Sequence, residues 1–132
     1  MILLDTDVCV ALLRGVPQVL EQRLRARARV ATTAITAGEL RYGAAKSAAP
    51  ERHHREVSLF LSSLPVLDLT PRASIHFGTL KAALERSGER LDDADLWIAS
   101  LALQHATTLA TGNLRPYNRV PNLRLENWMW KR

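Results

Sequence analysis

A single cysteine, Cys9, stands in 132 residues. One thiol can neither staple a chain nor build a thiolate metal site, so disulfide scaffolds and zinc fingers are excluded. Cys9 sits in an apolar run with no activating histidine nearby, which reads as a small core residue rather than a nucleophile. Also missing are a basic leader with a cleavable apolar stretch and any apolar run of membrane-spanning length; an acid arrives already at Asp5. These absences predict a cytoplasmic protein with no membrane partner. Low-complexity tracts and internal repeats are lacking too, which argues against disorder.

What is there is a sizeable apolar fraction, 47%, and a length that suits one domain over residues 1–132. The net charge of +5 favours an anionic partner, nucleic acid or an acidic protein, although many Arg-rich soluble proteins are basic without binding either. Short β-rich runs alternate with helical patterns. Strands are expected at Ile2–Leu4, Val30–Ile35, Val66–Leu69 and Thr107–Thr111, with a last edge strand within Val120–Glu126. Helices are expected from Thr6 to Arg14, over Val16–Leu24, from Thr36 to Ser47, from Pro50 through Leu64, from Pro71 to Gly88 and from Asp92 to His105. In the last three, Val57, Phe60, Leu61 and Leu64, then Ile75, Leu80 and Leu84, then Leu96 to Leu103 supply the apolar positions. Such alternation predicts an α/β fold: a central, mostly parallel sheet of four to five strands covered by helices on both faces. Sites in such sheets form beyond the carboxyl ends of the strands.

Acids gather at those ends. Asp5 closes the first strand, Glu39 lies one turn after the second, and Asp92, Asp93 and Asp95 open the apolar helix that precedes the strand at Thr107. Each has a structural reading as well. Asp5 or Asp7 can cap the first helix, Glu39 can answer Thr36 in a capping box, and Asp92 or Asp93 can cap theirs. Asp95 lies too deep in its helix to be a cap if Asp92 is one. Its face continues through Ala99, Ala102 and Ala106, all small, which lets a carboxylate approach neighbouring strand ends. Parallel strands would bring Asp5 and Glu39 to the same rim. Carboxylates so close repel unless a cation intervenes. A hard ion such as Mg²⁺ or Mn²⁺, shared with a phosphate, suits that donor set and points to phosphodiester chemistry.

LLDTD, ITAGELRYGAAKS, LDDADLWIASLAL and TTLATGNLRPYNRVPNLRLENW occur in that order over nearly the whole chain. Together they resemble the motifs of PIN-domain ribonucleases, specifically VapC-type toxins of bacterial toxin–antitoxin pairs. The resemblance implies a PIN-like three-layer sandwich and Mg²⁺- or Mn²⁺-dependent endoribonuclease activity. It also implies a homodimer and inhibition by a VapB-like antitoxin. It places the family's acids on Asp5, Glu39 and Asp95, its Tyr-Gly on Tyr42 and Gly43, and Thr111 and Asn113 near the site. Many members carry a fourth acid where this chain has Pro116. Asp92, one turn before Asp95, is the candidate substitute; Asp93 is the weaker one.

Arg14, Arg115 and Arg119 lie near the expected site loops and are candidates for RNA phosphate contacts. Arg23, Arg25, Arg27 and Arg29 read as a solvated basic face. His53 and His54 sit at a helix start without further zinc ligands, and His76 and His105 read as structural. Trp97 is expected in the core or a dimer interface. Trp128 and Trp130, beside Lys131 and Arg132, are expected either to stack on bases or to pack on the domain. Two rival readings remain. Asp5-Thr6-Asp7 with Asp92-Asp93 also resembles a haloacid-dehalogenase-like phosphohydrolase, although Val8 and Cys9 replace its usual Gly-Thr and no lysine is placed for a phosphoryl group. A PIN fold without the fourth acid could also be a catalytically weak module that binds RNA or antitoxin.

Overall fold

The computed structural model describes residues 1–129; Trp130, Lys131 and Arg132, named above for base stacking, lie outside the described residues. Five strands form one all-parallel sheet: β1 Ile2–Leu4, β2 Val30–Thr33, β3 Val66–Leu67, β4 Thr108–Thr111 and β5 Leu125–Asn127, in the order β3-β2-β1-β4-β5. The helices are α1 Thr6–Leu13, α2 Pro17–Arg25, α3 Ala34–Ala45, α4 Pro50–Ser62, α5 Pro71–Arg86, α6 Asp93–Gln104 and the short α7 Leu114–Tyr117. Among the described residues no helix is long and apolar enough to cross a membrane.

The central strands are apolar on both faces because helices cover both. Ile2, Leu4 and Ala110 pack with Val8, Leu12, Leu40, Val57 and Phe60 from α1, α3 and α4. Leu3 and Leu109 point the other way, onto Leu80, Leu84, Ile98 and Leu101 of α5 and α6. The three-layer expectation therefore holds, and Cys9 is buried in the first of these cores.

Several boundaries move for physical reasons. β2 stops at Thr33, where its pairing with β3 ends; the Thr33 hydroxyl then caps α3 by accepting from Thr36 N–H. Pro121 and Asn122, the latter with φ 67°, turn the chain before β5, so the edge strand begins only at Leu125. α2 ends at Arg25, which leaves Arg27 and Arg29 beyond the helix, and the half-buried Arg23 donates to Ser63. Leu24 and Ile75, expected on apolar faces, are 87% and 70% exposed. Trp128 is buried, so this part of the tail packs on the domain. Trp97 is half-buried and stacks on Phe77 with centroids 4.0 Å apart.

Ala106 is not the last step of the small face of α6. It lies beyond the helix, exposed, in the left-handed region at φ 50°. That is the position where helices ordinarily place glycine, because a Cβ there crowds the following carbonyl. Ala106→Gly is expected to stabilise the chain by about 1 kcal/mol, a rise of a few degrees in thermal midpoint. A calorimetric scan checks it; an unchanged or lower midpoint would show that the turn is unstrained.

Candidate active site

β1 and β4 run side by side with Leu4 opposite Ala110, so the residues leaving them, Asp5 and Thr111, meet at the carboxyl edge. The Asp5 N–H extends the ladder by donating to Ala110 O at 3.1 Å. From this pair the strand order departs in opposite directions, β2 and β3 on one side and β5 on the other. This is the switch point at which open parallel sheets leave a crevice.

Asp5 is only 3% exposed. Its Oδ1 caps α1 by accepting from Val8 N–H at 2.9 Å. Burial pushes the carboxyl up to about 6; hydrogen bonds from the Thr111 hydroxyl and the Val8 amide oppose the rise, and the charges of Asp7 and Asp95 add to it. The Thr111 oxygen also accepts from Asn113 N–H at 2.9 Å, which folds the loop after β4. A Cβ at Gly112 would meet the flexible Met129 side chain, which would have to move aside.

Asp95, in the first turn of α6, is half-buried, and burial again raises its carboxyl. The Tyr117 phenol opposes that rise by donating to Oδ1 at 3.0 Å; Asp92, Glu39 and Asp7 reinforce it. Glu39 stands exposed on α3, where its Oε1 accepts from the Thr6 hydroxyl at 2.5 Å. Thr6 Oγ1 lies 3.1 Å from Thr36 Oγ1 in turn. Because Thr33 caps α3, Glu39 has no capping-box role, and that structural reading of it falls away. Asp7 is not a cap either, since Asp5 holds that position; it is exposed, and its charge acts on both Asp5 and Asp95.

Asp92 occupies the N-cap position of α6 but makes no side-chain cap hydrogen bond, and it is exposed. Asp93 pairs with Lys81 at 2.9 Å. Asn113 is exposed at the start of α7, and Pro116 lies within that helix. Arg14 is exposed and lines, with Glu39, a groove of about 320 Å³ floored by Val10, Leu40 and Val57. Arg115 is exposed, while Arg119 is engaged with Glu89 at 3.3 Å. His53 and His54 are half-buried, and His54 receives Arg41 through its backbone oxygen at 2.9 Å.

Among the described residues no group of three or more His, Cys, Asp and Glu side chains is gathered as a ready metal cage. A Mg²⁺-like ion does not need one, since it is ordinarily held by one or two carboxylates together with waters and phosphate. Asp5 and Asp95 are all-oxygen donors whose ionised forms disfavour each other, and that donor set fits a hard divalent cation. A buried aspartyl nucleophile of the phosphohydrolase kind fits less well. Of the lysines described, Lys46 lies over the Tyr42 ring and Lys81 pairs with Asp93, so neither serves a phosphoryl group at Asp5.

Thr6 and Tyr117 were not singled out by sequence. Thr6 could have been suspected from its place beside a strand-ending acid. Tyr117 reaches Asp95 from 22 positions away, and no periodicity carries that contact.

Residues 2–123 match the model of the PIN domain family. A tRNA(fMet)-specific endonuclease VapC of Salmonella typhimurium is 38% identical over 127 residues, covering 96% of each chain. Ribonuclease VapC2 of Rickettsia felis is 35% identical over 129 residues, again covering 96% of each. Among solved structures, DNA-bound VapBC from Salmonella typhimurium aligns with a TM-score of 0.91 at 37% identity, over 96% of this chain and 97% of that one. VapBC2 from Rickettsia felis, bound to a DNA fragment from their promoter, aligns at 0.89 and 34%, over 97% and 99%. The buried strand-end acid, the acids drawn around it and these likenesses agree: the chain belongs to the PIN-domain family and is of its VapC type.

Proposed function

We propose that this chain is a Mg²⁺- or Mn²⁺-dependent endoribonuclease, the toxin of a toxin–antitoxin pair. The observation that carries the reading is Asp5: a carboxylate buried at the β1/β4 switch point, with Asp7 and Asp95 acting on it and no cation of the chain paired to it among the described residues. Asp5 and Asp95 are the residues that would hold the ion, with Glu39 beside them. The chemistry such an ion supplies when bound is a more acidic attacking water and a stabilised charge on the scissile phosphate.

The chain's own groups do the positioning. Thr111 and the Val8 amide fix Asp5, Tyr117 fixes one oxygen of Asp95, and Thr6 holds Glu39. Asp92 and Asp7 supply further negative charge at Asp95; this supports Asp92, and adds Asp7, as stand-ins for a fourth acid at Pro116. Asn113, next to the Thr111 turn, completes the polar rim. Arg14, which shares a groove with Glu39, and the exposed Arg115 are the basic residues best placed to meet the RNA backbone. Arg119 reaches phosphate only by giving up Glu89.

The Salmonella typhimurium relative is named for tRNA(fMet), so initiator tRNA is the first substrate to test. The VapBC structures support a VapB-like antitoxin as partner. A cytoplasmic homodimer is the working form we infer.

Purified chain is expected to cleave RNA with Mg²⁺ or Mn²⁺, to lose that activity in EDTA, and to recover it when the ion is restored. Asp95→Asn should reduce cleavage by roughly 100-fold or more while circular dichroism shows an intact fold. RNA binding without cleavage under either ion would instead identify a non-catalytic module.

Metal-free stability supplies a second check. Asp5 binds its proton more tightly folded than unfolded, because its carboxyl stands at about 6 against 3.8. Its contribution is therefore fully present below about 4 and lost as pH rises through about 6. Asp5→Asn keeps a capping oxygen and removes the buried charge. It should raise metal-free stability at pH 7, by up to roughly 3 kcal/mol, and flatten the pH dependence between those values. Thermal melts in EDTA across that range check it; a variant melting lower at pH 7 would show that the buried charge is already compensated.

A further inference from the structure

Tyr117 carries more than core packing. Its ring is 2% exposed, packed among Leu80, Leu96, Leu109 and Val120. The short α7 that bears it is tied down at both ends: Asn113 N–H, before it, is received by Thr111, and Tyr117 O accepts from Val120 N–H at 3.0 Å. A ring so confined cannot swing its hydroxyl away, and that hydroxyl donates to Asp95 Oδ1 at 3.0 Å. Asp95 needs such a donor. It is half-buried, other acids act on it, and among the described residues no lysine, arginine or histidine pairs with it.

We propose that Tyr117 is a positioning residue: its phenol locks Asp95 Oδ1, leaves Oδ2 as the oxygen offered to a divalent cation, and so sets the affinity of the site for that ion. The inference rests on the metal-dependent reading above. Ligating carboxylates that are themselves hydrogen-bonded hold their orientation, and loss of such a partner ordinarily weakens metal binding by about 10- to 100-fold.

The test is Tyr117→Phe in the full chain, with Mn²⁺ affinity of the metal-free protein measured by calorimetry and by electron paramagnetic resonance. A Mn²⁺ dissociation constant raised by roughly 10- to 100-fold is expected, with near-parental kcat for RNA cleavage restored at saturating Mn²⁺. A ring that served packing alone would shift the melting curve and leave Mn²⁺ affinity unchanged; that result overturns the proposal while the parent's metal dependence stands. A parent that binds no Mn²⁺ would overturn both readings at once, and its own titration reports that separately. Should the variant fail to fold, fluorotyrosine labelling keeps the question open to measurement. The chain has two tyrosines, and Tyr42 is exposed. The Tyr117 fluorine resonance is expected to move as diamagnetic Mg²⁺ is added; a resonance indifferent to saturating Mg²⁺ overturns the proposal.

Discussion

Asp5 leaves β1 at the point where its backbone is still paired to β4 and its side chain already caps α1. One residue thus ends a strand, starts a helix and buries a carboxyl group. Taking a carboxylate out of water is costly unless hydrogen bonds or a cation compensate. Two hydrogen bonds, from Val8 and Thr111, offset part of that cost, and the carboxyl still stands well above its ordinary range. The rest of the rim depends on this placement. The register that sets Leu4 against Ala110 delivers Thr111 to Asp5. The turn after Thr111, held by Asn113 N–H, leads into α7, which delivers Tyr117 to Asp95.

A pattern runs through the three acids. Asp5 receives Thr111, Asp95 receives Tyr117, and Glu39 receives Thr6. Each donor is a neutral hydroxyl. Among the described residues no ion pair joins a lysine or arginine to these acids; Arg23 is engaged with Ser63, Lys81 with Asp93, Arg119 with Glu89, and Lys46 lies over Tyr42. A neutral donor orients a carboxylate without cancelling its charge, whereas a lysine or arginine at the same place would have cancelled it. The rim is therefore organised and still negative.

Much of this architecture is legible in local pattern. Apolar runs of three or four residues closed by an acid or a threonine mark buried parallel strands, and Pro17, Pro50 and Pro71 announce three helix starts. Asp5, Glu39 and Asp95 stand out because each follows a strand or opens a helix. Cap assignments were less legible. Thr33 and Thr36 are both β-branched hydroxyl residues, and only the end of the β2–β3 ladder decides that Thr33 is the cap. The same ambiguity hid Asp7, since an acid two residues after another reads equally as cap or as charge. Tyr117 was out of reach for a different reason. Its value lies in a contact between α6 and α7 that depends on how β4 and β5 pack, and nothing in its neighbours' sequence encodes that.

The electrostatics of the whole chain then constrain how a polyanion can engage it. The net charge of +5 draws RNA from a distance, but exposed charges are screened beyond about 8 Å at physiological salt. Peripheral arginines can therefore steer and anchor a strand without neutralising Asp5 and Asp95. At close range an RNA phosphate would meet acids that hydroxyls have oriented and that no lysine or arginine among the described residues pairs with. A divalent cation held there, as proposed above, would reverse that sign locally, and the acids that repel bare RNA would then help hold the reacting phosphate at the switch point. On this account ion and RNA bind with positive coupling: each should bind more tightly when the other is present, and by the same factor.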